Sequence, residues 1–331
     1  MRKHTKTILG VLVSVAAVFA ILHNINLADV AHATAGTSGS LVFAGVLSVG
    51  MGYVIRSFRW WRMLRLKNHS ISLGTSAGVL MASFAANNVL PLRAGDALRV
   101  FGFRTVLRLP STFVLATVVL ERLLDLLSLL LLGLSFIRTG GLTAMPVQMV
   151  RLVQVLSLGG MALLIAILVF SKQLKICSLW LLGRCVPQTD RRDKTELAIR
   201  NVAGLFESIS LLEAGHLALL SAAAWMFEAV LYVCVARAMH LHVSVSWLAM
   251  ALLAANLSAI VPSSPGYVGT FHAAILAMLL LAGVERNAAT AYAVVVHAVL
   301  WAGITFAGGV AYLLLRGKAA QPVQDSTGEI V

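Results

Sequence analysis

Apolar runs of about 18 residues or more recur along this chain, and each is long enough to cross the hydrocarbon core of a bilayer as one helix. They cover residues 8–25, 41–60, 111–137, 147–170, 216–239 and 288–315. Charged residues make up 12% of the chain, where a soluble domain carries roughly 25%. That leaves too few polar side chains to coat a surface facing water. In lipid every backbone N–H and C=O must be bonded inside its own segment, so the expected fold class is an all-α polytopic membrane helix bundle.

The net charge of +13 would suggest nucleic acid in a soluble protein. Here no basic stripe is interleaved with aromatics, and nucleic acid is not an expected partner. The cations cluster at the ends of the spans, because Lys and Arg stay with the cytoplasmic loops. Cys177, Cys185 and Cys234 are too few and too scattered for a disulfide framework or a metal site. No HExxH, GxSxG, Walker loop or Cys/His spacing occurs, so neither a cofactor nor a metal is expected.

Residues 8–25 resemble a signal peptide and are expected to be a retained first span. Residues 27–40 contain no Lys or Arg and are placed outside. The second span ends in Arg56, Arg59, Trp60, Trp61, Arg62, Arg65 and Lys67, expected at the cytoplasmic headgroup boundary with rings at the interface and charges in water. Residues 171–200 read as a basic cytoplasmic loop, followed by an amphipathic interfacial helix over 196–212. Both termini are expected in the cytoplasm of a bacterial inner-membrane protein. Residues 1–318 form one membrane domain and residues 319–331 a polar tail.

Two apolar segments are interrupted. Residues 72–90 break at Asn87-Asn88-Val89-Leu90-Pro91-Leu92-Arg93-Ala94-Gly95-Asp96, and Arg99, Arg104 and Arg108 follow. A re-entrant hairpin would keep these arginines on the cytoplasmic side. Residues 245–261 break at Pro262-Ser263-Ser264-Pro265-Gly266-Tyr267-Val268-Gly269 and continue as an apolar stretch, either as a second hairpin or as two short spans. The architecture is thus six full spans plus two broken hairpins, or eight spans. Each break combines an Ala-Asn step, proline and glycine, the pattern of an inverted-topology repeat of the kind that marks a transport site. Proline removes a donor, glycine lets the chain reverse, and a helix restarting after Gly95 or Gly266 would aim N–H groups at the centre. Asn88, Pro91 and Pro262 belong to these breaks. The alternative is a pair of proline-kinked helices that only pack.

Glu121, Arg122 and Asp125 lie within a long span, where each charge costs about 2.5–3.5 kcal/mol on insertion scales and therefore pairs. They read either as a proton-coupling or headgroup site, partnered by Arg122 or a hairpin arginine, or as an ion pair holding this helix to the first hairpin. Glu228 is an isolated carboxylate, either a proton carrier or a hydrogen-bonding group. His272 and His297 read as core histidines.

Arg59-Trp60-Trp61-Arg62-Met63-Leu64, Asn88-Val89-Leu90-Pro91-Leu92-Arg93-Ala94-Gly95-Asp96-Ala97-Leu98-Arg99, Glu121-Arg122-Leu123-Leu124-Asp125 and Pro262-Ser263-Ser264-Pro265-Gly266-Tyr267-Val268-Gly269 occur in this order. Together they resemble the lysylphosphatidylglycerol synthase transmembrane-region family, also called flippase-like membrane proteins, over roughly residues 5–316. The resemblance implies a non-enzymatic protein that moves anionic or polyprenyl-phosphate-linked lipids between leaflets, or an accessory subunit of a lipid-modifying glycosyl- or aminoacyl-transferase. It implies a site at Arg93, Gly95, Asp96, Arg99, Glu121, Arg122, Asp125, Pro265, Gly266 and Gly269, with Arg93 and Arg99 attracting phosphate. Many family members carry an acidic residue after the last motif, where this chain has Phe271-His272. The synthases carry a large soluble aminoacyl-transfer domain after the membrane part, so lysyl transfer by this chain alone is not expected.

Overall fold

A computed structural model describes residues 36–90, 94–139, 147–258 and 265–319, and among them twelve α-helices and no strand. Helix α1 (Gly39–Arg65) is followed by α2 (Leu73–Val89), a short helix α3 (Ala94–Ala97), one π turn (Leu98–Gly102) and α4 (Arg104–Leu107). Next come the long helices α5 (Ser111–Thr139) and α6 (Val147–Val169). Two helices, α7 (Ser171–Cys185) and α8 (Asp190–Ser208), lead to α9 (Leu211–Ala238). Then α10 (Val245–Ser258), a 3-10 turn (Pro265–Tyr267), α11 (Thr270–Leu281) and α12 (Arg286–Ala319) complete the described chain.

Helices α1, α6, α9 and α12 are long and apolar enough to cross a membrane. Helix α5 has 29 residues but carries Glu121, Arg122 and Asp125 in its middle. Large apolar side chains such as Phe43, Leu158, Leu219 and Phe306 face outward, as expected where lipid is the solvent. The expected first span, residues 8–25, lies outside the described residues, as do Pro91, Arg93 and Pro262.

Both interrupted segments are hairpins rather than pairs of spans. Ser72 caps α2 by accepting a hydrogen bond from the Thr75 amide at 3.1 Å, which fixes where the first hairpin begins. The helix stops where Leu90, the residue before a proline, becomes extended (φ −98°, ψ 145°), because proline disfavours the helical region for its predecessor. The chain then returns to its starting end, where Asn68 Nδ2 donates to the Leu107 carbonyl at 3.1 Å. The second hairpin, α10 and α11, starts at the opposite end of the bundle, at Val245, shortly after α9 ends at Ala238 beside Ser38.

The pairing of the helices is reciprocal. Helices α1 and α9 lie antiparallel, joined from Ser38 N to Ala238 O at one end (3.1 Å) to Arg62 with Glu213 at the other. Helix α2 packs along α12, and α10 packs along α5, so each hairpin leans on the helix that follows the other one. This exchange fits the inverted repeat expected from the two Ala-Asn-proline breaks. Two apolar cores result, one around each hairpin, and α5 contributes to both.

Residues 171–208 differ from expectation. The basic loop folds into α7 and α8, and the predicted helix over 196–212 starts earlier, at Asp190, where Thr189 caps it. Exposed Leu174, Ile176, Trp180 and Leu181 beside Lys172 and Arg184 give α7 the interfacial character expected of α8.

The first hairpin closes only with glycine at position 95. A Cβ there would lie 1.9 Å from the Ser83 carbonyl oxygen and 2.6 Å from the Asn87 nitrogen, both rigid backbone. Gly95→Ala is therefore expected to cost more than about 3 kcal/mol and to remove most monodisperse protein in detergent size-exclusion chromatography. A wild-type profile would contradict this packing.

Candidate functional site

The Arg-Trp cluster at the end of α1 is divided between the interior of the bundle and its surface. Arg59 and Trp60 are fully buried and Arg56 nearly so, whereas Arg65 and Lys67 remain exposed as expected. Arg59 reaches across to α5, with Nη1 at 2.5 Å from Asp125 Oδ1 and Nη2 at 3.2 Å from Oδ2. It also donates to Ser221 Oγ of α9 and lies 3.8 Å from Glu121. Asp125 receives a further bond from Trp225 Nε1 at 3.2 Å.

Arg99, on the π turn, makes a two-point contact with Glu121 (3.3 and 3.2 Å), and its guanidinium lies 4.8 Å from the Trp60 ring centroid. Arg99 is fully buried and committed to this carboxylate, which corrects its expected role as a phosphate attractor. Asp96 binds Arg122 through both oxygens at 3.0 Å and accepts from Asn87 Nδ2 at 3.0 Å. The Asp96 amide donates to Asn87 Oδ1, so the N–H expected to face a ligand after Gly95 is already used. Glu228 is not isolated, since Arg56 Nη2 donates to it at 2.7 Å.

Four arginines (56, 59, 99 and 122) thus balance four carboxylates (96, 121, 125 and 228) between the two apolar cores. Glu121 takes the hairpin arginine as partner, as expected. Arg122 serves Asp96 instead of its own helix.

The hairpin tips meet beside this network. Asn88 Nδ2 donates to Thr305 Oγ1 at 3.0 Å, and Trp301 Nε1 donates to the Asn88 carbonyl at 3.4 Å. Gly266 (φ 70°) sits against the same atoms, where an added Cβ would lie 3.3 Å from the Asn88 oxygen. A cavity of about 340 Å³ opens here, lined by Asn87, Asn88, Arg122 and Asp125, by Asn256, Gly266, Tyr267, His297 and Trp301, and by Arg56 and Glu228. His297 Nδ1 and His272 Nε2 are 3.3 Å apart, so the two histidines form one pair. Gly269 (φ 89°) turns the chain into α11 and is exposed, and Pro265 opens the 3-10 turn.

Among the predicted residues, Asn88, Gly95, Asp96, Arg99, Glu121, Arg122, Asp125 and Gly266 come together. Arg56 and Arg59 were missed as site residues. The available signal was numerical: acids inside apolar spans need as many cations at the same depth, and the two arginines closest to the interior end of the cluster could supply them.

This architecture defines a polytopic membrane protein with paired hairpins around a polar centre. Residues 7–308 match the family described as lysylphosphatidylglycerol synthase TM region, and the chain belongs to it. It is also 28% identical to a protein of Haloferax volcanii named glycosyltransferase AglD, over 97% of this chain and 56% of that protein. The chain therefore spans about half the length of this curated relative.

Asp125→Asn would leave Arg59 buried with its main counter-charge gone, at an expected cost of about 3–5 kcal/mol. Thermal unfolding in detergent should show this loss, and adding Arg59→Gln should restore part of it. Equal and additive losses would contradict a direct pair.

Proposed function

We propose that this protein moves an anionic or polyprenyl-linked lipid between the leaflets of a bacterial inner membrane, without covalent chemistry of its own. The observation that carries this reading is the meeting of two hairpins, arriving from opposite ends of the bundle, beside a cavity lined in part by charged and amide side chains. Irregular backbone survives at membrane depth where it is enclosed by protein or lines water. A headgroup could occupy such a cavity while its tails stay in lipid.

Of the four central ion pairs, Arg122 with Asp96 is the most accessible, with side-chain exposures of 38% and 21%. It is the pair an arriving phosphate meets first, and it sits at the tip of the first hairpin. Membership of a lipid-related family supports the same reading. On the orientation proposed here, the first hairpin and both termini face the cytoplasm, since exposed Arg65, Lys67, Arg104 and Arg108 lie at that end.

A second reading, an accessory membrane subunit of a lipid-modifying transferase, is favoured by the relative whose printed name is a glycosyltransferase and whose length exceeds this chain. Co-purification with such an enzyme, together with no lipid movement by the protein alone, would support it.

Reconstitution into liposomes with fluorescent phosphatidylglycerol, phosphatidylethanolamine or a polyprenyl phosphate, followed by an impermeant quencher, tests the first reading. Purified protein should accelerate flip-flop of at least one anionic probe, and Arg122→Gln should slow it at least fivefold. Rates equal to empty liposomes for every probe would overturn the reading.

A further inference from the structure

We infer that Glu228 is a proton-binding carboxylate tied to an anion site at Arg56, so that a phosphodiester headgroup and one proton occupy the cavity together. The inference rests on the translocation reading for its context and names the ligand class and the coupling group of that same cavity.

Two carboxylates line the cavity, Asp125 and Glu228, and their partners differ. Asp125 is held by both terminal nitrogens of Arg59 and by the Trp225 indole. Glu228 has one cationic contact, through one oxygen, with Arg56 Nη2 at 2.7 Å, while Asn256 of α10, whose Nδ2 donates to the Leu252 carbonyl, lines the same cavity. The other charged and titratable groups facing it are Tyr53 from α1, Asp125 from α5 and Tyr232 on its own helix, and Arg122 of α5 and His297 of α12 line the same cavity. Asp125 is a like charge. Glu228 is therefore the central carboxylate with the least to lose on taking a proton.

Arg56 is under-satisfied in the complementary sense. Its side chain is 6% exposed, and its second terminal nitrogen, Nη1, is buried with no hydrogen-bond partner. Its guanidinium is held between aromatic rings, with the Trp225 centroid at 4.5 Å and the Tyr53 centroid at 5.4 Å, so the cation stays beside the cavity when its counter-ion changes. A guanidinium is a strong donor to phosphate, and one with an unused nitrogen has capacity for a second acceptor.

Charge balance joins the two halves. Four arginines already match four carboxylates, so a monoanionic phosphodiester would leave an uncompensated negative charge in a poorly hydrated site. Protonation of Glu228 removes that excess, because the proton forms an O–H bond on its carboxylate and frees Arg56 to pair with the phosphate. By linkage, each ligand raises affinity for the other equally.

The test uses full-length protein in detergent and water-soluble dihexanoyl phosphatidylglycerol as the probe. Its affinity, read from Trp fluorescence, should rise as pH falls from 8 to 6, approaching about tenfold per unit where one proton is taken up. Glu228→Gln, which copies the protonated shape, should bind at the tight limit with no pH dependence. Calorimetry of the wild type in buffers of different ionisation enthalpy should count close to one proton absorbed per probe bound, and this readout stands even if the variant fails to fold. Zero protons absorbed, a wild-type pH slope in Glu228→Gln, or no binding at either pH would overturn the inference. Flip-flop without proton uptake would overturn it while leaving translocation intact, whereas proton-linked binding without flip-flop would do the reverse.

Discussion

Eight charges sit near the middle of this bundle, and at about 2.5–3.5 kcal/mol each they would together cost about 20–28 kcal/mol if unpaired. That exceeds the whole stability of an ordinary domain, about 5–15 kcal/mol. The network of arginines 56, 59, 99 and 122 with acids 96, 121, 125 and 228 is therefore a condition for the fold. Each pair joins segments distant in sequence. Arg59 ties α1 to α5, Arg56 ties α1 to α9, and Arg99 and Asp96 tie the first hairpin to α5. Lipid offers no hydrophobic drive between helices, so such bonds and close packing hold the assembly together.

The same condition shapes the hairpins. Gly95 lets the first hairpin lie directly on the backbone of α2, which brings Arg99 to Glu121 and Asp96 to Arg122. Gly266 lets the second hairpin touch Asn88 and Trp301 without a side chain between them. Reciprocal packing of α2 on α12 and α10 on α5 then leaves a partly open cavity, lined by both polar and apolar side chains, between two apolar cores. Stability and any transport path are built from the same residues, with the Arg99–Glu121 pair sealed and the Arg122–Asp96 pair partly exposed.

Much of this was legible in the sequence for local reasons. Proline, glycine and asparagine inside an apolar run announce a break wherever the partner segment lies, and Glu121 and Asp125 announce burial because they interrupt a span. Arg56 and Arg59 were misplaced because an Arg-Trp cluster at the end of a span gives the same local pattern at an interface as inside a bundle. Their partners, Glu228 and Asp125, are 172 and 66 positions away, and no local pattern encodes that distance. The stretch of α7 was similarly ambiguous, since Lys172, Lys175 and Arg184 among apolar residues suit both a solvated loop and a helix on the membrane surface.

The most direct measurement is the sidedness of the two hairpin mouths. In a background with Cys177, Cys185 and Cys234 replaced by serine, Ser70→Cys and Glu285→Cys each give one exposed thiol, at the mouth of the first hairpin and beyond the second. An impermeant thiol reagent applied to sealed membrane vesicles should label the two from opposite sides, with Arg108→Cys behaving like Ser70→Cys. Labelling of Ser70→Cys and Glu285→Cys from the same side would contradict opposed hairpins, and with them the cavity between their tips.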